Sequence, residues 1–286
     1  MKVLVKALLQ MLNTKKIKLI TFCLVGVFFS PHTFADIKLS GEIKQGALVI
    51  GKTANNNVVT FDGKVLPLSA YGDYVFGFSR DDDKTHQLVI TQPNGEKELK
   101  SLTPAKRQYD IQRIEGIAKK IMNPNPKAIT RSKQDGAQVS AARKTLSTKT
   151  DFANGFIAPI TGIITGVYGS QRVFNGVPKR PHYGLDYAGK TGDPVKAPAA
   201  GTVVMFVPDM FYSGGTMIID HGHGITSSFL HLSKSYVKTG DEVKKGQVVA
   251  AVGSSGRTTG PHLDWRINWF NMRLDPALAL RAVAIK

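Results

Sequence analysis

The chain has 286 residues, with 38 lysines and arginines against 21 aspartates and glutamates, a formal charge of +17. Its 42% apolar and 8% aromatic content is ordinary for a folded protein, and the length suits one large domain or two smaller ones. One cysteine, Cys23, excludes a disulfide-stapled mini-protein and a thiolate metal cluster, while the charge leaves nucleic acid, anionic lipid and an acidic wall polymer open as partners.

Residues 14–35 read TKKIKLITFCLVGVFFSPHTFA. Lys15, Lys16 and Lys18 precede an apolar run from Leu19 to Phe29, and Thr33 and Ala35 supply small residues before Asp36. Basic flank, short apolar core and small-residue exit in that order predict an export signal over 1–35. The run is too short to span a bilayer comfortably. Translation from Met11 would give the signal a more usual length. Removing 1–35 takes away five lysines and the only cysteine, leaving 251 residues at +12.

The remaining charge is uneven: −1 over 36–100, +8 over 101–150 and +5 over 151–286. Tyr109 is the one aromatic of the basic middle segment, which argues against base stacking and so against nucleic acid. That segment reads as a solvated, partly helical connector, with contact to anionic envelope polymers as its functional alternative.

A small amino-terminal β domain is expected over 36–100. Ala47–Ile50, Val58–Phe61, Tyr74–Phe78 and Gln87–Thr91 have strand character between turn signals. The run Asp81-Asp82-Asp83 reads as a hairpin loop. Over 103–122, Tyr109, Ile111, Ile114, Ile117 and Ile121 recur at helical spacing behind Thr103 and Pro104, predicting a helix that Pro124 and Pro126 end. Residues 127–150 then look like a linker or a loosely packed helix. From about 155 to the end, short β-branched pieces such as Val203-Val204-Met205, Met217-Ile218-Ile219 and Val248-Val249-Ala250 alternate with glycine-rich turns. That texture predicts an antiparallel β-sheet or sandwich, closed by a short helix over 276–283. The chain as a whole is expected to be mainly β.

Five of the six histidines that follow the signal lie between His182 and His262. His182 and Asp186 flank Gly184 in a loop-and-strand context, and alone the pair is weak. His231 sits in an apolar run and alone reads as a packed histidine of a core strand. In Gly260-Pro261-His262-Leu263-Asp264-Trp265, strand periodicity puts His262 and Asp264 on one face and Leu263 and Trp265 on the other. A face carrying imidazole and carboxylate is what a metal site with nitrogen and oxygen ligands needs.

Together these pieces resemble the LytM/lysostaphin-type zinc metallopeptidases of bacterial cell walls, the M23 peptidase family. The likeness runs from Pro159 to Pro276. It takes in Tyr168-Gly169-Ser170-Gln171-Arg172, His182 to Asp186, Ala199 to Val203 and Ile219-Asp220-His221-Gly222. It continues through His231-Leu232, Val243 to Gln247, Gly253 to Gly256 and Thr259-Gly260-Pro261-His262.

The resemblance implies one zinc ion, with the family's first ligand pair on His182 and Asp186 and its catalytic histidine on His231. Its closing His-x-His motif begins on His262, but the second position is Asp264. An aspartate can ligate zinc through oxygen, so His182, Asp186 and Asp264 are the expected ligands, with His231 and His262 catalytic. Two carboxylates would offset the metal's charge, and a less electrophilic zinc is expected. A shift of His262 into the ligand role is the poorer alternative. His221 and Asp220 are expected to be structural and His223 exposed, while Arg172, Tyr183 and Tyr212 are weak candidates for ordering substrate. The implied activity is endopeptidase cleavage of peptidoglycan cross-links, D,D bonds by analogy, in the periplasm or cell envelope of a bacterium. The alternative is a non-catalytic relative that binds peptidoglycan or regulates another wall hydrolase. Residues 36–100 would restrain the catalytic domain by an intramolecular contact or help bind wall polymer.

Overall fold

Short strands and tight turns build both halves of the chain in the computed structural model, which describes residues 37–116, 125–283 and 285. The expected export signal lies outside the described residues. In the first half, Leu48–Lys52 runs between Lys38–Ser40 and Asp73–Gly77 in one antiparallel sheet. A second sheet orders Lys64–Leu66, Val58–Phe61, His86–Thr91 and Lys97–Leu102. The four strands expected from the sequence are all there, displaced by no more than two residues. The acidic run 81–83 is a loop, but Asp82 is tied down, accepting from His86 Nε2 at 2.9 Å.

The second half is organised by one larger sheet. Its order is Glu242–Val243, Gly201–Met210, Gly214–Gly222, Ile225–Leu232, His262–Trp269, Leu185–Ala188 and Ile164–Gly166, with Met272–Leu274 returning onto His262–Trp269. All these pairings are antiparallel. Alternation then separates the faces. Leu263, Trp265, Ile267, Leu185, Phe229, Met217 and Ile219 point into a buried core. Leu48, Ile50 and Val75 of the first half enter the same core, so the two halves are packed together. His262, Asp264, Arg266 and Asn268 lie on the other face.

The middle of the chain departs from expectation. Residues 103–110 form no helix, and Ile111–Ile114 is a strand, parallel to Gln171–Phe174; positions 117–122 lie outside the described residues. Long-range partners override the local period. Ala105 donates its N–H to Ile43 O and accepts from Gln45 N. Arg107 pairs with Asp275 at 2.7 Å, and the Tyr109 ring lies under the Arg80 guanidinium, 4.2 Å from its carbon. The helix instead forms in the polar stretch that follows, over Pro126–Arg143. Asn125 Oδ1 caps it by accepting from Lys127 N, and Pro126 sits at its first position, where a missing N–H costs nothing. The helix lies against the polar-face side of the large sheet: Val139 and Ala142 pack on Met205, Met210 and Ile218, and Arg143 is buried. At the carboxyl end the expected helix is a single turn, Pro276–Ala279.

His86 is held between two carboxylates, Asp62 Oδ2 at 2.7 Å and Asp82 Oδ1 at 2.9 Å, with its ring stacked on Phe61. Burial alone would lower its pKa, but the two aspartates outweigh burial and raise it above 6.5. Burial likewise opposes the Asp62 carboxylate, and its bonds to Gln87 and His86 outweigh that and lower it below 3.8. The His86 contribution is therefore complete below about pH 6.5 and lost as pH rises through its raised pKa; the Asp62 contribution is complete above about pH 3.8 and lost on acidification. His86→Gln should cost about 1 kcal/mol at pH 5.5 and clearly less at pH 9, measured as the difference in thermal midpoint from the unmodified chain.

Candidate metal centre

Register brings the two candidate acidic ligands together. In the pairing of Leu185–Ala188 with His262–Trp269, Asp186 stands directly opposite Asp264. The loop before Leu185–Ala188 delivers His182, whose backbone is fixed by Gly169 N donating to its carbonyl and by its own N–H donating to Ser170 O. One ligand atom each from His182, Asp186 and Asp264 lies within 4.8 Å of the others. His182 Nε2 is 3.2 Å from Asp186 Oδ1, an ion-pair approach without hydrogen-bond direction, so both buried atoms lack a hydrogen-bond partner. Two glycines make room: a Cβ on Gly166 would come within 2.3 Å of Asp186 Oδ2, and one on Gly184 within 2.0 Å of Asp264 Oδ1. Orphaned nitrogen and oxygen atoms in a cradle of this kind fit a divalent cation.

Electrostatics support the same fit. Burial would lower the His182 pKa, but Asp186 and Asp264 outweigh burial and raise it. Burial also works against the Asp264 carboxylate, yet the Arg266 guanidinium holds it well below the usual carboxylate range. Arg266 donates from Nε to Oδ1 at 2.9 Å and from Nη2 to Oδ2 at 2.5 Å. Behind it, Arg143 donates to Ser228 Oγ, and burial works first against the charges of Arg143 and Arg273, with neighbouring guanidiniums adding to it.

Two more histidines complete the cluster. The His231 and His262 rings are 4.7 Å apart. His231 lies at a bulge, where two residues oppose one across the ladder between Gly215 and Met217, and it has φ +63°. A left-handed histidine at a bulge re-aims its side chain at some backbone cost. His231 Nδ1–H donates to Ser255 O at 2.8 Å and His262 Nδ1–H to Gly260 O at 2.9 Å. Each ring therefore keeps Nε2 for other work. Burial pushes the His231 pKa down, which favours the neutral ring.

The model of peptidase family M23 matches residues 180–276, which contain all five of these side chains. The chain is 39% identical over 97 residues to an uncharacterized metalloprotease of Haemophilus influenzae, covering 34% of this chain and 20% of that protein. It is 41% identical over 87 residues to the peptidoglycan DD-endopeptidase ShyA of Vibrio cholerae, covering 30% of this chain and 20% of ShyA. The matched stretch spans about a fifth of the length of these curated relatives. A crystal structure from Pseudomonas aeruginosa, assigned to peptidase M23, aligns with a TM-score of 0.64 at 26% identity, over 84% of this chain and 96% of that one. Residues 180–276 carry a domain of peptidase family M23. Its mainly β architecture is that of the family.

The other side chains singled out by sequence sort as follows. His221 is fully buried: Nδ1–H donates to Ala200 O, and Ser227 Oγ–H donates to Nε2. Burial pushes its pKa down to about 4, so it is neutral at pH 7. Asp220 Oδ1 accepts from Gly222 N. His223, expected to be exposed, is buried instead, with its ring 5.0 Å from Phe152, because the tight turn folds under residues 147–152. Arg172 is exposed and donates to Gln112 rather than to any of the five clustered residues. Tyr183 is half-buried against Tyr168. Tyr212 is in the turn whose Ser213 O accepts from His231 N, so it borders the cluster. Sequence reading missed Arg266, Gly166 and Gly184. The period that puts His262 and Asp264 on one face extends to Arg266 and would have found it; the glycines carry no signal until the strands are paired.

Gly184→Ala forces a methyl group into Asp264 Oδ1, a side chain that Arg266 keeps from swinging away. The variant should bind zinc roughly 10- to 100-fold more weakly, read by titration with a competing chelator, while keeping the far-ultraviolet spectrum of a β protein.

Proposed function

We propose that the chain is a zinc-dependent endopeptidase that hydrolyses peptide cross-links of bacterial peptidoglycan. The observation that carries this reading is the convergence of His182, Asp186 and Asp264 beside the paired rings of His231 and His262. The named activity of ShyA supports peptidoglycan as substrate and D,D bonds as the bonds cleaved. Residues 155–286 would form the metallopeptidase domain, 36–100 an amino-terminal β domain and 101–154 the region between them. An export signal over 1–35 would deliver the protein to the periplasm or cell envelope.

His182, Asp186 and Asp264 would hold one zinc ion, which when bound supplies Lewis-acid activation of water and of the scissile carbonyl. The chain's own residues handle protons and charge. Ser255 O fixes the His231 ring so that its neutral Nε2 can take a proton from the attacking water. Gly260 O fixes His262 in the same sense, and when protonated its Nε2–H can donate to the oxyanion that develops on the carbonyl. Held bonds at both Nδ1 positions mean that neither ring must reorient during the reaction.

The engagement of both Asp264 oxygens by Arg266 favours a second reading, a relative that binds peptidoglycan without cutting it. Digestion separates the two. Zinc-loaded protein with purified peptidoglycan should release cross-link-derived peptides detectable by mass spectrometry, chelation should stop release, and zinc should restore it. His231→Ala should lower kcat by about 10²- to 10⁴-fold with zinc content unchanged. No release from zinc-loaded protein, or full activity in His231→Ala, would overturn the endopeptidase reading.

A further inference from the structure

We propose that Arg266 is the positioning residue that lets an aspartate serve in the third ligand position of this metal centre. The inference rests on the metalloenzyme reading and deepens it. Arg266 and Asp264 are two residues apart on one strand face, and the guanidinium contacts both carboxylate oxygens. A planar fork on a carboxylate fixes its orientation as well as its charge. Only part of the oxygens' accepting capacity is used, and Oδ1 receives a single bond from Nε. Asp264 can therefore face a cation and Arg266 at once.

Charge gives the second reason. A neutral imidazole, Asp186 and a histidine at position 264 would carry one net negative charge. Replacing that histidine by Asp264 would make it two, and Arg266 returns it to one. A divalent ion at this centre meets the same net charge as in a two-histidine site, so part of the loss in electrophilicity expected from two carboxylates is offset by the chain itself.

The pair also excludes the alternative residue. A histidine at 264 that ligated metal through one nitrogen would carry N–H on the other, and Arg266 offers only donors. Donor would face donor, and a half-buried guanidinium would lose its carboxylate. Arginine at 266 and histidine at 264 are thus incompatible, although either residue is acceptable with the right neighbour.

The test is a comparison of Asp264→His alone with Asp264→His combined with Arg266→Gln. Zinc affinity by chelator competition and the visible absorption of the cobalt-loaded protein are measured on both and on the unmodified chain, with melting of the metal-free forms alongside. The single variant should bind zinc roughly 10- to 100-fold more weakly than the double variant and should melt at a lower temperature without metal. A single variant that fails to fold beside a double variant that folds is the same result seen in stability. Asp264→Asn, with and without Arg266→Gln, repeats the comparison with a milder change and covers failure of both histidine variants to fold. Equal or tighter zinc binding by the single variant overturns the inference while leaving the metalloenzyme reading in place. Zinc bound by the double variant but not by the unmodified chain, or by none of the three, overturns both.

Discussion

Asp186 and Asp264 stand face to face on neighbouring antiparallel strands, and like charges in directly opposed positions repel. In a partly buried setting that repulsion is not screened by water, so two carboxylates persist there only with positive charge beside them. His182 approaches one side of the pair and Arg266 the other. Each of these contacts answers the same demand, and the space left by Gly166 and Gly184 keeps the oxygens free to meet a cation. The centre is thus a solution to a conflict that strand register creates.

Register itself is held from the opposite face. Phe229 lies across from Trp265 and Leu185 across from the same residue, all in a dry core, so slipping the ladder by one residue would turn Trp265 outward and Asp264 inward. A polar chain pins the neighbouring strands: Trp265 Nε1–H donates to Ser227 Oγ, Ser227 donates to His221, and His221 donates to Ala200 O. His221 is therefore a histidine used for its two-ended hydrogen bonding, neutral and apart from the His231–His262 pair. His231 departs from regular pairing because a bulge ends its strand, and that irregularity sets its ring against His262.

Much of the sheet could be read directly from the chain, because alternation decides which side of a strand faces the core. Leu263 and Trp265 against His262 and Asp264 is the plainest case, and Val58–Phe61 matches its expected limits. Local pattern failed where distant partners decide. The isoleucine spacing around Ile111 and Ile114 has helical period, but the backbone there pairs with Gln171–Phe174. The Pro126–Arg143 helix, one of two readings of that stretch, was not told from a linker because of its polarity, since it buries only Asp135 and Arg143 completely. The candidate ligands were legible through their resemblance to a known order of motifs. Arg266 shares the face of His262 and Asp264 by the same alternation and was passed over, because its meaning depends on an aspartate occupying a position where the motif has histidine.

The shallow seating of that helix has an energetic corollary. It contributes two modest side chains, Val139 and Ala142, to a patch otherwise made by Met205, Met210 and Ile218 of the sheet. Its deepest group, Arg143, arrives among other guanidiniums. Elements with little apolar contact and opposed charge sit at the low end of the range of local opening energies. Local opening of the helix is consequently expected to cost less than opening of the sheet beneath it, and that cost is set by the sequence of one polar segment.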